Sequence, residues 1–332
     1  MGKYNPSNTQ VPTLPEAVRK RPGMYFGNIE YNGANSVVHE LVANSVDLYL
    51  AGKSTKIRVE VENQAITVLD DGPGLPFWKA AKEDSSVSLA QYYLTHRHDS
   101  PTADNHAPHI HLLGGGLGLA VVNAASDSML IESSDGERLW KQEFGQGGVL
   151  SDLSVEKTSR PKGTKIELTL DKKLFGNYTV EMFELRKTLF EVAHFDPGII
   201  IELQNERFCS NDGLLDLAFM LCKRHSAFSR PPRKFYFNGK KDDVQVQVAA
   251  IGDSDEGTHY FSWVNGSESV EGGTHVEGLQ RVFGKIGWVS KVALIHLVMH
   301  DPSYAGPCKD ALCNREIIEV IEEMLMEPII SF

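Results

Sequence analysis

The stretch Asp70-Asp71-Gly72-Pro73-Gly74-Leu75-Pro76 decides how the rest of the chain is interpreted. It follows the alternating apolar run 66–69, which predicts a β-strand that ends at the two carboxylates. Glycines at a strand end permit positive φ and close approach of a ligand, and an acid there can accept a hydrogen bond from an amino group such as that of adenine. Taken alone, the stretch is more typical of a plain turn. The motifs on either side of it therefore decide between a loop and a nucleotide site.

Length and composition predict two domains of an ordinary globular protein, with 332 residues, 41% hydrophobic and 23% charged. A net charge of −11 argues against a protein that simply coats nucleic acid. No run of 18 apolar residues is present, and the first ten residues lack the apolar core of a signal peptide. The four cysteines form no CxxC pair, so neither a zinc ribbon nor a thioredoxin motif is indicated. With no export signal, reduced thiols and a cytoplasmic protein without a membrane partner are expected.

Residues 35–50 have apolar side chains at helical spacing and predict a helix that is partly buried. Glu40 and Asn44 are four residues apart, so they share one face of that helix. A carboxylate near phosphates can orient or deprotonate water, and an amide oxygen is a suitable ligand for Mg²⁺, which takes further ligands from phosphates and water. The alternative is an amphipathic helix whose polar residues only face solvent.

A glycine cluster, 114–118, precedes the apolar segment 119–125, which predicts a helix. The free N–H groups at the start of a helix can bind phosphate. The sequence GGGLG departs from GxGxxG and lacks the lysine of a GxxxxGK[ST] loop, so neither a Rossmann site nor a Walker P-loop is indicated. A flexible hinge is the competing interpretation. Further along, Thr164 starts a predicted strand where it could bond a ligand or simply follow a turn.

The remaining periodicity predicts an α/β chain with a long, polar loop at 95–112, of a kind that often forms a lid. The loop region holds five of the twelve histidines, and a polar lid is favoured over a metal site. Further helices are predicted at 178–193, 214–223, 274–284 and 314–326. Strands are predicted at 56–62, 65–70, 128–133, 138–144, 164–170, 198–204, 233–237, 244–251, 259–264 and 292–299.

In their order, these motifs resemble the GHKL ATPases, and within them the ATPase region of bacterial type II topoisomerases of the gyrase B and ParE type. The resemblance extends over nearly the whole chain, including its second half. The matching segments are AVRKRPGMYFGN at 17–28, HELVANSVD at 39–47, VLDDGPGLP at 68–76, GGGLGLAVVNAAS at 114–126, KGTKIEL at 162–168, EGGTH at 271–275 and DPSY followed by CKDAL at 301–312.

The resemblance implies a fold and a domain organisation. It implies an α/β fold of the α+β sandwich kind, with a Bergerat-type GHKL ATP-binding domain at 1–224 followed by a smaller, ribosomal-S5-like transducer domain at 225–332. Within the first domain it implies an N-terminal dimerisation arm at 1–13 and an ATP lid at 95–118.

The same resemblance implies roles for single residues. Glu40 matches the general base that activates water, Asn44 matches the Mg²⁺ ligand, and Lys309 matches the lysine that reaches the γ-phosphate. Tyr4 matches an arm residue that reaches the nucleotide site of a second copy of the chain. Asp70 matches the acid that binds the adenine amino group, with Asp71 expected to cap the turn. The other implied nucleotide contacts are Gly74, Leu75, Gly116, Leu117, Gly118 and Thr164.

Several positions depart from the family pattern. Leu48 and Pro73 stand where the family often has a paired Glu and Arg, so both partners of that ion pair are replaced together. Lys141 stands where another pocket arginine is usual, and Pro307 lies near a position where a Gln assists the lysine. These changes put the adenine-site polarity, and the binding of inhibitors that use the arginine, in question.

The leading interpretation is Mg²⁺-dependent ATP hydrolysis that drives ATP-gated homodimerisation, with DNA and a topoisomerase A-type protein as further partners. The alternative is a stand-alone ATP-binding clamp or sensor in another DNA transaction or a defence complex, with little hydrolysis. A histidine-kinase or chaperone relative of the same superfamily is less well supported, because such proteins lack the RPGMY and DPSY segments.

Overall fold

The structure of the chain is a computed structural model, and it describes residues 12–96, 118–225, 232–306 and 309–331. The described residues divide into two compact units. One unit contains 12–42, 58–96 and 118–182, and the other contains the rest. Helix α3 and strand β1 each run from one unit into the other. The domain boundary expected at residue 224 stays a prediction.

Ten helices and sixteen strands occur in the described ranges. The helices are α1 (Leu14–Lys20), α2 (Gly23–Phe26), α3 (Gly33–Leu50), α4 (Leu89–Thr95), α5 (Leu119–Ala125), α6 (Lys172–Phe175), α7 (Met182–Phe195), α8 (Leu214–His225), α9 (Thr274–Ile286) and α10 (Glu316–Ile330). The first nine strands are β1 (Lys56–Glu62), β2 (Ala65–Asp70), β3 (Ser126–Ser134), β4 (Arg138–Gly145), β5 (Gly148–Val149), β6 (Ser154–Lys157), β7 (Gly163–Leu170), β8 (Ile200–Leu203) and β9 (Glu206–Phe208). The remaining strands are β10 (Lys234–Lys241), β11 (Val244–Ile251), β12 (His259–Val264), β13 (Ser267–Glu268), β14 (Gly272–Gly273), β15 (Val292–Val298) and β16 (Ala311–Leu312).

The first unit is built on a sheet with the strand order β5-β4-β3-β7-β2-β1, to which β6 adds on β4. β7 lies between β2 and β3 and pairs antiparallel with both. Buried residues alternate along β7 and β2, which leaves the intervening side chains on the opposite face of the sheet. α5 is buried along its whole length and packs against α1, α4, β3 and β4. Its apolar sequence is explained by this central position.

Two tryptophans lie together in the first unit. Trp140 of β4 is buried, with 3% of its surface exposed, whereas Trp78 is 49% exposed. Their ring centroids are 5.2 Å apart at an interplanar angle of 49°. The pair therefore has one ring in the protein interior and one facing water.

The second unit contains a five-stranded sheet with the order β10-β11-β15-β12-β13, in which only β12 and β15 run parallel. β15 is buried at every position, as expected of a central strand with both faces covered. One face packs on α9 and α10 and the other on α8 and the end of α7. This architecture agrees with the predicted α/β class, and the ribosomal-S5-like label stays a prediction. Within the described part of the chain, every helix is too short or too polar to cross a membrane.

Candidate functional site

Glu40 is held inside the first unit by the packing of α3. Val37, Val38 and Leu41 bury one side of the helix, and Glu40 lies at the edge of that side with 9% of its surface exposed. Its Oε1 accepts a hydrogen bond of 3.0 Å from the backbone N–H of Gly118. Burial of a carboxylate is costly unless its oxygens are hydrogen-bonded, and this bond supplies one partner. The structure thus joins two predicted site residues, the acid on α3 and the last glycine of the cluster 114–118.

Gly118 has a φ of 79° and directly precedes α5. Left-handed backbone is readily available to glycine, so the chain can turn there with its N–H directed at Glu40. Gly116, Leu117 and the arm residue Tyr4 lie outside the described residues, as do the lid histidines after His96. Their predicted roles stay predictions.

Asn44 follows Glu40 by one turn of α3 and is exposed. Residues four apart on a helix project from the same side, so the amide and the carboxylate are neighbours. Mg²⁺ usually takes one or two protein oxygens and completes its octahedron with water and phosphates. Among the described residues there is no group of three or more His, Cys, Asp or Glu side chains arranged to hold a metal. An exposed amide oxygen beside a carboxylate therefore fits a magnesium ion that arrives with a phosphate ligand.

The second part of the site lies where β2 ends. Asp70 is the last residue of β2 and lies directly opposite Thr164 at the start of β7. Asp70 is half-buried and Thr164 is buried. Directly opposed residues on antiparallel strands project from the same face, so a carboxylate and a hydroxyl stand side by side here. At the edge of a planar ligand, the carboxylate can accept hydrogen bonds and the hydroxyl can either donate or accept them.

The turn after β2 is stabilised by the side chain of Asp70. The Oδ1 atom of Asp70 accepts a hydrogen bond of 2.8 Å from the N–H of Gly72. Asp70 therefore forms an Asx-type turn through its own side chain, and the prediction that Asp71 caps the turn stays a prediction. Asp71 is exposed.

Two glycines allow the backbone to close on this strand end. Gly74 has a φ of 85°, and a Cβ atom there would lie 2.6 Å from the Oγ of Ser133. Gly163 has a φ of 149°, and its Cβ would lie 2.2 Å from the carbonyl oxygen of Asp70. Both distances are shorter than real atoms allow, so a side chain at either position would force its neighbours to move, in addition to adopting a positive φ. Leu75, the neighbour of Gly74, is half-buried and accepts a hydrogen bond through its carbonyl oxygen from Ser133.

Ser133 is the residue of this site that the sequence motifs do not contain. It is fully buried and lies opposite Thr164 in the register of β3 and β7. No local pattern marks it, because its place beside Gly74 depends on the pairing of strands that are far apart in sequence. A serine at the end of a predicted strand is the only available signal, and that signal is weak.

Lys309 lies in the second unit, where burial lowers the pKa of its ammonium group. Its Nζ lies 5.9 Å from the centre of the Tyr304 ring. Its φ of 61° is unusual for a residue with a side chain and indicates a constrained backbone. The predicted contact of Lys309 with a phosphate stays a prediction.

Two of the residues that depart from the family pattern, Lys141 and Pro73, lie in the first unit, whereas Pro307 lies outside the described residues. Lys141 pairs with Glu132 at 3.4 Å and with Glu156 at 3.0 Å, so its charge is compensated on the sheet itself. Pro73 is exposed in the turn. Each of these residues is accommodated without an isolated buried charge.

Residues 30–174 match the family described as histidine kinase-, DNA gyrase B-, and HSP90-like ATPase. The chain carries a GHKL ATPase domain. The matched range contains the Glu40–Gly118 contact and the whole Asp70–Thr164 strand end, so the two parts of the site belong to one GHKL domain. The GHKL fold thus accounts for the grouping of motifs that are each weak alone.

Curated relatives extend the similarity beyond the GHKL domain. The chain is 28% identical to the DNA gyrase B protein of Borrelia hermsii over 99% of its length, and 30% identical to that of Staphylococcus aureus over 98%. It spans 56% and 55% of these two relatives, so it corresponds to little more than half of each.

Solved structures show the same fold. The 43K ATPase domain of Thermus thermophilus gyrase B, in complex with an aminocoumarin, superposes with a TM-score of 0.75 over 96% of this chain and 89% of that one, at 22% identity. The topoisomerase IV ATP-binding domain of Francisella tularensis gives 0.71 over 96% and 93%, at 23% identity. The predicted GHKL fold class is confirmed by this likeness.

Proposed function

We propose that this chain binds MgATP between α3 and the β2–β7 strand end, hydrolyses it, and forms a homodimer while ATP is bound. The observation that carries the proposal is the hydrogen bond between Glu40 and Gly118, which brings an acid to a glycine turn at the start of a helix. At the other end, Asp70 and Thr164 present a carboxylate and a hydroxyl to a base. The resemblance to gyrase B supports the same assignment.

In the proposed reaction, the oxygen of a water molecule attacks the γ-phosphorus while the bond from that phosphorus to the bridging oxygen of ADP breaks. Glu40 orients the water and accepts its proton. Backbone N–H groups of the glycine turn bind phosphate oxygens. A magnesium ion held through Asn44 would neutralise phosphate charge. The ammonium group of Lys309 would likewise neutralise negative charge on the γ-phosphate. Loss of the γ-phosphate would release the contact between that phosphate and Lys309.

The proposal also includes partner molecules. We propose that DNA and a topoisomerase A-type protein act with this ATPase, because gyrase B relatives match nearly the whole chain. The chain matches little more than half of those relatives, so strand passage by it is not inferred.

The test compares phosphate release by the purified chain with that of Glu40→Ala. We expect hydrolysis to fall by about 10²- to 10⁴-fold, the usual contribution of a general base, while binding of a non-hydrolysable ATP analogue is retained. Glu62→Ala is the control, because Glu62 is an exposed carboxylate on β1 that takes no part in the site. Undiminished hydrolysis in Glu40→Ala would show that Glu40 is not the general base.

Mass measurements with ATP and with the analogue complete the test. Dimers with both ATP and the analogue support the proposed ATPase, provided that the chain releases phosphate and that Lys309→Ala reduces this release. Equal dimerisation with negligible phosphate release from the unaltered chain would support the clamp or sensor instead. A monomer under all conditions would contradict ATP-gated dimerisation.

A further inference from the structure

Ser133 belongs to a row of three residues that crosses the sheet at the proposed base site. Asp70 on β2 lies opposite Thr164 on β7, and Thr164 lies opposite Ser133 on β3. Directly paired residues share a face, and neighbouring strands are about 4.8 Å apart, so the row is about 10 Å long. Ser133 is thus the next side chain along the face that begins with Asp70 and Thr164.

The hydroxyl of Ser133 is bonded to the turn that follows β2. Its Oγ donates a hydrogen bond of 3.0 Å to the carbonyl oxygen of Leu75. The same Oγ lies 2.6 Å from the position that a Cβ of Gly74 would occupy, so the hydroxyl is close to the backbone of the turn. Ser133 is fully buried and Leu75 is half-buried, so this bond is partly shielded from water and its loss carries a cost.

We propose that Ser133 is a positioning residue of the base site, holding the backbone of Gly74 and Leu75 against β3 beside Thr164. The proposal rests on the proposed ATP-binding function. Ser133 acts through the Leu75 carbonyl, so it sets the affinity for the base and the selectivity between bases. The rate of hydrolysis at bound ATP depends on Glu40 at the other end of the site and is independent of Ser133.

Ser134 offers a matched control on the same strand. It is also buried, with 1% of its surface exposed, and its Oγ donates to the carbonyl oxygen of Arg160 at 3.1 Å. It also accepts a bond from the N–H of Gly136. Removing either hydroxyl therefore deletes a partly buried hydrogen bond, and of the two serines it is Ser133 whose hydroxyl is bonded to the turn at Gly74.

The experiment measures dissociation constants for ATP and GTP, kcat at saturating ATP and the melting temperature of the full chain, of Ser133→Ala and of Ser134→Ala. We expect Ser133→Ala to bind ATP about 10-fold more weakly, to discriminate less between ATP and GTP, and to keep kcat within about twofold. One lost hydrogen bond corresponds to about a factor of ten in affinity. Ser134→Ala is expected to keep the affinities for ATP and GTP. Its melting temperature should fall by about as much as that of Ser133→Ala. Ser133→Cys, which keeps a weak donor, should recover part of the affinity.

Equal ATP affinities in the unaltered chain and Ser133→Ala would overturn the role of Ser133 without affecting the proposed ATP-binding function. Equal losses of ATP affinity in Ser133→Ala and Ser134→Ala would do the same. A fall in kcat without a change in affinity would also overturn it. If the unaltered chain binds no ATP, the proposed function fails, and the role of Ser133 fails with it.

Discussion

Gly74 is constrained twice, by its backbone angle and by the space around it. Its φ of 85° lies in the region that costs a residue with a side chain about 1–2 kcal/mol. A Cβ would also overlap the Oγ of Ser133 at 2.6 Å and crowd the carbonyl oxygen of Ser134 at 3.1 Å. Sequence reasoning identifies the glycine, but only the structure shows that both constraints act on it.

The first prediction separates these two constraints. Gly74→Ala is expected to lower the free energy of unfolding by about 2–4 kcal/mol, because strain and overlap add. Gly52→Ala is the control, since Gly52 has a φ of 68° and no atom within 4 Å of its Cβ position. That variant should lose only about 1–2 kcal/mol in urea unfolding. If the two variants lose the same amount, the overlap with Ser133 has no energetic effect.

Some residues of the candidate site lie in sequence motifs, and others do not. Glu40, Asp70 and Thr164 each fall in a short motif, so their place in the site could be predicted. Ser133 could not, because its contact with Leu75 requires the β3–β7–β2 pairing. Sequence cannot tell which of two adjacent carboxylates folds back on the backbone, and the structure shows that Asp70 does so.

Among the elements, α1 packs on α5 and carries a partly buried cation, Arg19. Thr13 and Glu16 form a capping box that starts the helix. Near its other end, Arg19 contacts Asp171 at 2.6 Å and donates to the carbonyl oxygen of Ala124 in α5. Burial opposes ionisation of Asp171, but its hydrogen bonds and the charge of Arg19 lower the pKa overall. Asp171 also caps α6, so one carboxylate stabilises two helices.

The second prediction concerns this contact. Arg19→Leu is expected to destabilise the chain by about 2–3 kcal/mol, because it leaves the buried carboxylate of Asp171 without its cation. In combination with Asp171→Asn, the loss should be less than additive by about 1 kcal/mol or more in a double-mutant cycle. Lys20→Leu, at an exposed neighbouring position, should change stability by less than about 0.5 kcal/mol. Strict additivity would show that the two side chains do not stabilise each other.

Long periodic elements were the ones that sequence predicted well. The helix expected at 35–50 is α3, and strands expected at 56–62, 65–70, 244–251 and 259–264 have the bounds observed. Helices α1 and α4 have seven residues each and were missed because their apolar residues are too few to show a period, whereas the equally short α5 was predicted from its apolar run. The TLPE sequence before α1 is a capping-box signal that would have revealed it. Strands β5 and β6 are short and exposed, and only their pairing with β4 defines them.

Over the whole molecule, the second unit holds buried carboxyl groups that oppose its stability at neutral pH. Burial raises the pKa of Asp196 to about 7, and the negative charge of Asp47 adds to the rise. Its Oδ2 has no hydrogen-bond partner among the described residues. Burial likewise raises the pKa of Glu191 to about 7, although the Lys187 charge lowers it in part. The folded state therefore binds protons that the unfolded chain releases.

The third prediction follows from the sign of that difference. An acid whose pKa is raised by folding stabilises the protein fully below its unfolded pKa, and the contribution is lost as pH rises towards 7. We expect Asp196→Asn to be more stable than the unaltered chain at pH 8 by about 2–4 kcal/mol, with little difference near pH 4. Urea unfolding at both pH values measures this.

An exposed carboxylate of the same unit provides the comparison. Asp243→Asn should leave the pH dependence of unfolding unchanged, because Asp243 lies exposed between β10 and β11. An Asp196→Asn variant that is less stable than the unaltered chain at pH 8 would show that the ionised carboxylate is stabilised by the fold.

The tryptophan pair of the first unit has an optical consequence. Trp140, Trp263 and Trp288 are each at most 3% exposed, so Trp78 is the indole that a water-soluble quencher such as iodide can reach by collision. Trp78 is also four residues after Gly74, in the segment that leaves the proposed base site. The native emission of the chain thus contains a built-in reporter of that turn, which can be read without attaching a dye.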